Sequence, residues 1–249
     1  MRGLGFFLLI CTMAGISGAT AAPATEPNAA PFDAPVKFVR IPQPANRQNP
    51  DAGPSVTCSY FKDFMVKQVD LGDQGSAEMA VLPDKSAVCQ RKVVANERIV
   101  SPKQWAGYFR GVVGDAIFLD GSSAFDGGRA FAIFTPAVKK IFEDVANGFY
   151  AISAPPGQPI TIHYRRVYAS HCSLAGAKPD ECWAMIVKDT ALTRRPDCNA
   201  AYVNPNAHSV FGIEDPSVIE YDAQAIVTEG GKPQFVPVAG RDAVCRMAE

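Results

Sequence analysis

Glycine and proline punctuate this chain from end to end, 20 of each in 249 residues. Proline removes a backbone donor and glycine weakens helices and strands alike, so this density favours many turns and short elements over long helices. It stays below collagen-like or low-complexity composition. Between the turns lie short apolar runs. Asp115–Asp120 (DAIFLD) and Arg129–Phe134 (RAFAIF) have the pattern of strands buried on both faces. The Gly121–Gly128 segment between them is turn chemistry throughout, so the pair predicts an antiparallel hairpin. Ile160–Tyr168 alternates, with Ile160, Ile162, Tyr164 and Tyr168 on one face and Thr161, His163, Arg165 and Val167 on the other. Cys182–Val187 and Ser217–Val227 read as further strands, and Glu229–Pro233 turns the chain into another at Gln234–Val238.

Two segments carry helix signals instead. Ser101-Pro102-Lys103-Gln104 offers an N-cap, a proline at the first helical position and a glutamine at N3, and apolar residues follow at helical spacing through Val113. Gly107 and Gly111 oppose that reading, each costing up to about 1 kcal/mol in a helix interior. Pro136 likewise precedes Val138, Ile141, Phe142 and Val145, with Asn147-Gly148 as a stop. Read as strand, turn and strand, Phe134–Asp144 resembles the outer hairpin of a β-propeller blade, although it lacks the glycine of that turn. The resulting expectation is an all-β fold, mainly antiparallel, as a propeller-like meander or a β-sandwich. One or two short helices, at residues 102–113 and 136–147, are an open choice, and α+β is the alternative class.

The N-terminus reads as a secretory signal peptide over residues 1–22. Arg2 supplies a positive charge, Leu4–Ile16 is apolar, and the small residues from Ser17 to Ala22 provide A-x-A-type cleavage sites. The apolar run is shorter than the roughly 20 residues a spanning helix needs. Residues 23–55, rich in Pro, Ala and Asn, predict a flexible leader, with an edge strand at Val36–Ile41, and residues 56–249 form a single disulfide-linked domain. With Cys11 removed by cleavage, six cysteines remain: Cys58, Cys89, Cys172, Cys182, Cys198 and Cys245. In an oxidising compartment an even number reads as three disulfides, with pairing of sequence neighbours as the working assignment. The expected location is therefore periplasmic or extracellular.

Lys and Arg number 24 against 25 Asp and Glu, for a net charge of -1. That balance excludes a basic nucleic-acid binder, and no membrane span is expected after signal cleavage. There is no nucleophile elbow, P-loop or zincin motif, so no catalytic residue is assigned. Asp120, Ser122 and Asp126 place hard oxygens in a glycine-rich loop, a candidate Ca²⁺ site and the one cofactor considered. Tyr164, Arg165 and Tyr168, with Arg166 and later Arg194-Arg195, form a candidate surface for carbohydrate or an anionic polymer. The sequence thus points to an exported binding or interaction module whose partner is an envelope polymer or a secreted protein. The alternatives are a secreted hydrolase with a spatially assembled acid pair, and an inhibitor presenting the loop between Cys172 and Cys182.

Overall fold

Because short apolar-rich runs are interrupted by turns, most of the described segments of this chain pair as strands. The computed structural model describes residues 32–43, 54–72, 76–125, 127–199 and 215–247. One sheet is an antiparallel meander of β1 (Lys37–Pro42), β2 (Ser55–Tyr60), β3 (Met65–Asp70), β4 (Ser76–Leu82) and β5 (Arg98–Val100). The second continues in chain order with β6 (Gly107–Val113), β7 (Ala116–Phe125), β8 (Gly128–Phe134), β9 (Lys140–Ser153), β10 (Ile160–Ala169), β11 (Ser217–Val227) and β12 (Gln234–Pro237). A last strand, β13 (Val244–Met247), pairs with Ser217–Glu220 of β11, while β12 pairs with Ala223–Ile226. The helix α1 (Pro179–Thr190) stands between β10 and β11. Among the described residues this is the all-β, mainly antiparallel class with one short helix, α1.

Both open helix choices resolve as strands. At Ser101 the capping interactions do form: the Ser101 N–H donates to Gln104 Oε1 at 3.0 Å, and the Gln104 and Trp105 N–H groups donate to Ser101 O. They close only one turn before Gly107 opens β6, where extended pairing with β7 outweighs a helix containing two glycines. Residues 135–139 form the turn between β8 and β9. The helix lies instead where a strand is expected, at Cys182–Val187. Pro179 at the helix start and Asp180 and Glu181 in the first turn initiate it, and Cys182, Ile186 and Thr190 form its buried stripe. The loop expected over Gly121–Gly128 is shorter than anticipated, because β7 runs on to Phe125 through a register shift between Asp120 and Ala124.

The layers follow from which faces are apolar. Phe61, Phe64, Val66, Met79 and Val81 of the first sheet's side pack on Ile117, Leu119, Ala132 and Phe134 of β7 and β8. The opposite face of the first sheet buries Val56, Cys58, Met65 and Val69 under the Pro83–Glu97 excursion, which the Cys58–Cys89 disulfide fastens down. Within that cover, Lys67 and Glu97 form an ion pair with side chains almost fully buried.

The second sheet folds back on itself at β9. The N-terminal part of β9 pairs with β8 and its C-terminal part with β10, the register slipping between His163 and Arg166. Gly148, at φ +91°, supplies a backbone conformation L side chains rarely adopt at this bend. The two leaves so created, β6 to β9 and β9 to β12, face each other across Phe118, Phe131, Phe142, Phe149, Tyr164 and Phe235. Ring contacts span them, Phe131 to Tyr164 at 5.6 Å and Phe142 to Phe235 at 6.1 Å. A bulged strand shared between two packed leaves is the device by which sandwiches turn corners.

The segment before β1 is docked as well. The Asp33 N–H donates to Val112 O, the Gly114 N–H donates to Asp33 Oδ2, both at 2.7 Å, and the Phe32 ring lies 5.4 Å edge-on to Phe118. A Cβ at Gly111 would come 2.4 Å from that ring, so the glycine is the seat of Phe32. The expected edge strand is β1, paired along its length with β2. A chain beginning at Pro44 is therefore expected to melt several degrees below one beginning at Pro31, having lost both the Phe32 contact and β1. Equal melting temperatures in parallel calorimetric scans would show that this segment contributes nothing to the core.

Candidate functional site

Folding β9 back brings four chain reversals together at one margin of the two leaves. From the first leaf come the β6–β7 turn at Gly114-Asp115 and the β8–β9 turn at Thr135-Pro136. From the second come the Ala154–Pro159 loop and the start of the β11–β12 connection at Thr228-Glu229. The margins touch closely, since a Cβ at Gly114 would lie 2.6 Å from Ala154 O. Between them opens a pocket of about 530 Å³ whose walls include Ile141, Ile160, Val227 and the prolines at 136, 155, 156 and 159. Prolines fix φ and stiffen such a wall. Lys139 and Glu229 bridge the leaves at the rim with an ion pair of 3.1 Å.

Deeper between the leaves, and reaching under α1, is a polar network. Asp144 accepts from Arg166 Nε at 2.8 Å and from the Tyr164 hydroxyl, and the Val145 N–H adds a third donor at 2.9 Å. Arg166 also donates to the Tyr221 hydroxyl at 2.9 Å and to the Asp189 carbonyl of α1, while its guanidinium stacks 3.6 Å from the Phe235 ring centroid. Tyr168 donates to Asp189 Oδ2 at 2.8 Å. Burial pushes the Asp144 carboxyl up from its ordinary value, against the pull of Arg166. Burial likewise raises the phenols of Tyr164, Tyr168 and Tyr221, and the Asp144 and Asp189 carboxylates reinforce the first two. On the outer face of the same strands Arg165 donates to Glu220 at 2.7 Å and Asp222 at 3.2 Å, and Arg246 faces Glu220 at 2.7 Å.

A folded-state phenol pKa above the unfolded value of 10.0 gives stability that is present below pH 10 and lost as pH rises through the folded value. Of the seven tyrosines, Tyr164, Tyr168 and Tyr221 are accordingly expected to ionise only in the step that unfolds the protein in alkali. Phenolate absorbance followed alongside circular dichroism checks this, and complete titration of every tyrosine with a native spectrum would refute it.

The structure places the residues singled out in the sequence as follows. Tyr164 is fully buried and shares its face with Arg166 and Tyr168, whereas Arg165 is buried on the opposite face. The aromatic and basic side chains expected as a surface are thus largely internal, because α1 covers one face of β10 and β11 and residues 239–246 cover the other. His163 lines a shallow depression on that other face. Arg194 and Arg195 border a more polar cleft of about 380 Å³ opposite Arg241 and Asp242. Asp120 is a strand residue whose Oδ2 accepts from Arg110 at 2.7 Å and lies 3.6 Å from Arg129. Ser122 is exposed, and Asp126 lies outside the described residues. Among the described residues no group of three or more His, Cys, Asp or Glu is placed to hold a metal ion.

All six cysteines beyond Cys11 pair as sequence neighbours, Cys58 with Cys89, Cys172 with Cys182 and Cys198 with Cys245. The loop closed by Cys172 and Cys182 exposes Ala177, Lys178, Asp180 and Glu181. Ser173 and Leu174 are buried, and from Pro179 onward the loop is already the first turn of α1. Sequence reasoning missed the pocket, the pairing of Asp144 with Arg166 and the stacking of Arg166 on Phe235; all three arise from the bend in β9, signalled only by Asn147-Gly148. Among the described residues no helix is long and apolar enough to cross a membrane. No protein family, characterised protein or solved structure was found to match this chain. Fold and bridges define a disulfide-linked, two-sheet antiparallel β protein with one short helix, α1, among the described residues, which is compatible with an exported module.

Proposed function

We propose that the protein is an exported binding module and that its ligand enters the pocket between the β6–β7, β8–β9, β9–β10 and β11–β12 connections. The carrying observation is the pocket itself: a concavity of about 530 Å³ with largely apolar walls, set on loops anchored to a packed double leaf. That size and lining suit a small organic ligand. The charge arrangement supports binding over hydrolysis. Asp120, Asp144, Glu220 and Asp222 each face an arginine within about 3.2 Å, and none of the four lines the pocket. Three disulfides together with the signal-like N-terminus support export.

The test is saturable binding of a neutral, environment-sensitive apolar dye. Gln158→Trp and Thr228→Trp place indole groups at exposed positions of the lining. Each is expected to reduce dye binding at least tenfold while leaving the melting temperature unchanged. Absence of saturable binding, or binding indifferent to both variants, would overturn the assignment.

A further inference from the structure

Among the described residues, the pocket's lining carries formal charge of one sign only. Asp115 on the β6–β7 turn and Glu229 beyond β11 are the ionisable members described, one on each leaf, and no described lysine, arginine or histidine contributes to the wall. The remaining polar side chains are the neutral Thr135, Gln158 and Thr228, against walls of Ile, Val, Ala and Pro. Building on the binding reading above, we propose that the site takes a small organic cation: an apolar body seated against Ile141, Ile160 and the proline loop, with an ammonium nitrogen held between Asp115 and Glu229. A carboxylate or phosphate ligand would meet two like charges beside apolar walls, where their repulsion is screened less than in open water.

Lys139 gives the site a competitor of its own. Its ammonium sits 3.1 Å from Glu229 Oε1, and with both side chains more than half exposed the pair is weak and exchangeable. A ligand ammonium can therefore replace Lys139 at Glu229 with little loss, and removing Lys139 should improve the site for a cation. Rim residues that merely supported the fold would not produce a gain of this kind.

The experiment uses three rigid ligands of one shape and different charge, aminoadamantane, adamantanol and adamantanecarboxylate, titrated calorimetrically into the full chain. Aminoadamantane is expected to bind on the order of tenfold more tightly than the alcohol, with the carboxylate weakest and the preference shrinking in high salt. Asp115→Asn and Glu229→Gln should each lower affinity for the amine and leave the alcohol unchanged, and Lys139→Gln should raise affinity for the amine alone. Equal or tighter binding of the carboxylate, or loss of all three ligands together in the two acid-to-amide variants, would overturn the cation preference while leaving the pocket as a binding site. Failure of all three ligands to bind the unaltered protein, alongside the neutral dye, would overturn the pocket itself.

Discussion

Replacing Arg166 with methionine is expected to lower the stability of the fold by about 3–5 kcal/mol, the cost of leaving a buried charge without its partner. Asp144 would remain between the leaves with its side chain some nine-tenths buried, and the contact with the Phe235 ring and the bond to Tyr221 would go as well. In a domain of this size the loss corresponds to a fall in melting temperature of roughly 6–20 °C. The partner variants identify the cause. Asp144→Leu combined with Arg166→Met removes both charges and should regain much of the loss, because a buried pair exchanged for apolar residues of similar volume is often neutral. Tyr164 would then be left with an unsatisfied hydroxyl, a cost of about 1–3 kcal/mol, so adding Tyr164→Phe should recover more still. If the single Arg166 variant melts within a degree of the unaltered protein, the network does not hold the leaves together.

That network shows where the sequence stops being informative. The alternation in Ile160–Tyr168 correctly puts Ile162, Tyr164 and Tyr168 on one face, and the strand is there. Alternation alone, however, implies that the face bearing Arg165 meets solvent. Arg165 is instead covered by carbonyls of Arg241 and Asp242, residues more than seventy positions away, and no local pattern records that cover. The Cys182–Val187 run failed differently. Six apolar residues suit a buried strand or a helix equally, and the deciding signals, Pro179 and the acids at 180 and 181, lie just ahead of the run. Conversely Ser101–Gln104 has every helix-start signal and makes the corresponding bonds, yet two glycines and the competing β7 edge end it after one turn. The hairpin at β7 and β8 was legible because each strand is apolar on both faces, which a strand between two layers requires. The pocket was not, since its four walls come from turns that become neighbours only when β9 bends.

Opening the Cys198–Cys245 bridge is expected to have the largest effect among the three disulfides. Its residues are 47 apart, against 31 and 10 for the others, so the unfolded chain gains the most freedom when it is removed, about 4 kcal/mol on the loop-entropy estimate. The folded state loses contacts in addition. Cys245 anchors β13, whose ladder to β11 is only four residues long, and the neighbouring Arg246 faces the buried Glu220 at 2.7 Å. Freeing β13 would expose Glu220 on the side where Arg246 now stands and loosen residues 241 and 242 over Arg165. The double variant Cys198→Ala, Cys245→Ala should therefore unfold at a lower urea midpoint than the corresponding double variants of the other two pairs. Amides of β13 and of Ser217–Glu220 in β11 should exchange first. If the Cys172, Cys182 double variant proves the less stable protein, chain entropy does not set the order. The short bridge at the start of α1 would then be the principal brace, through the packing of Cys182 against Leu174 and Ile219.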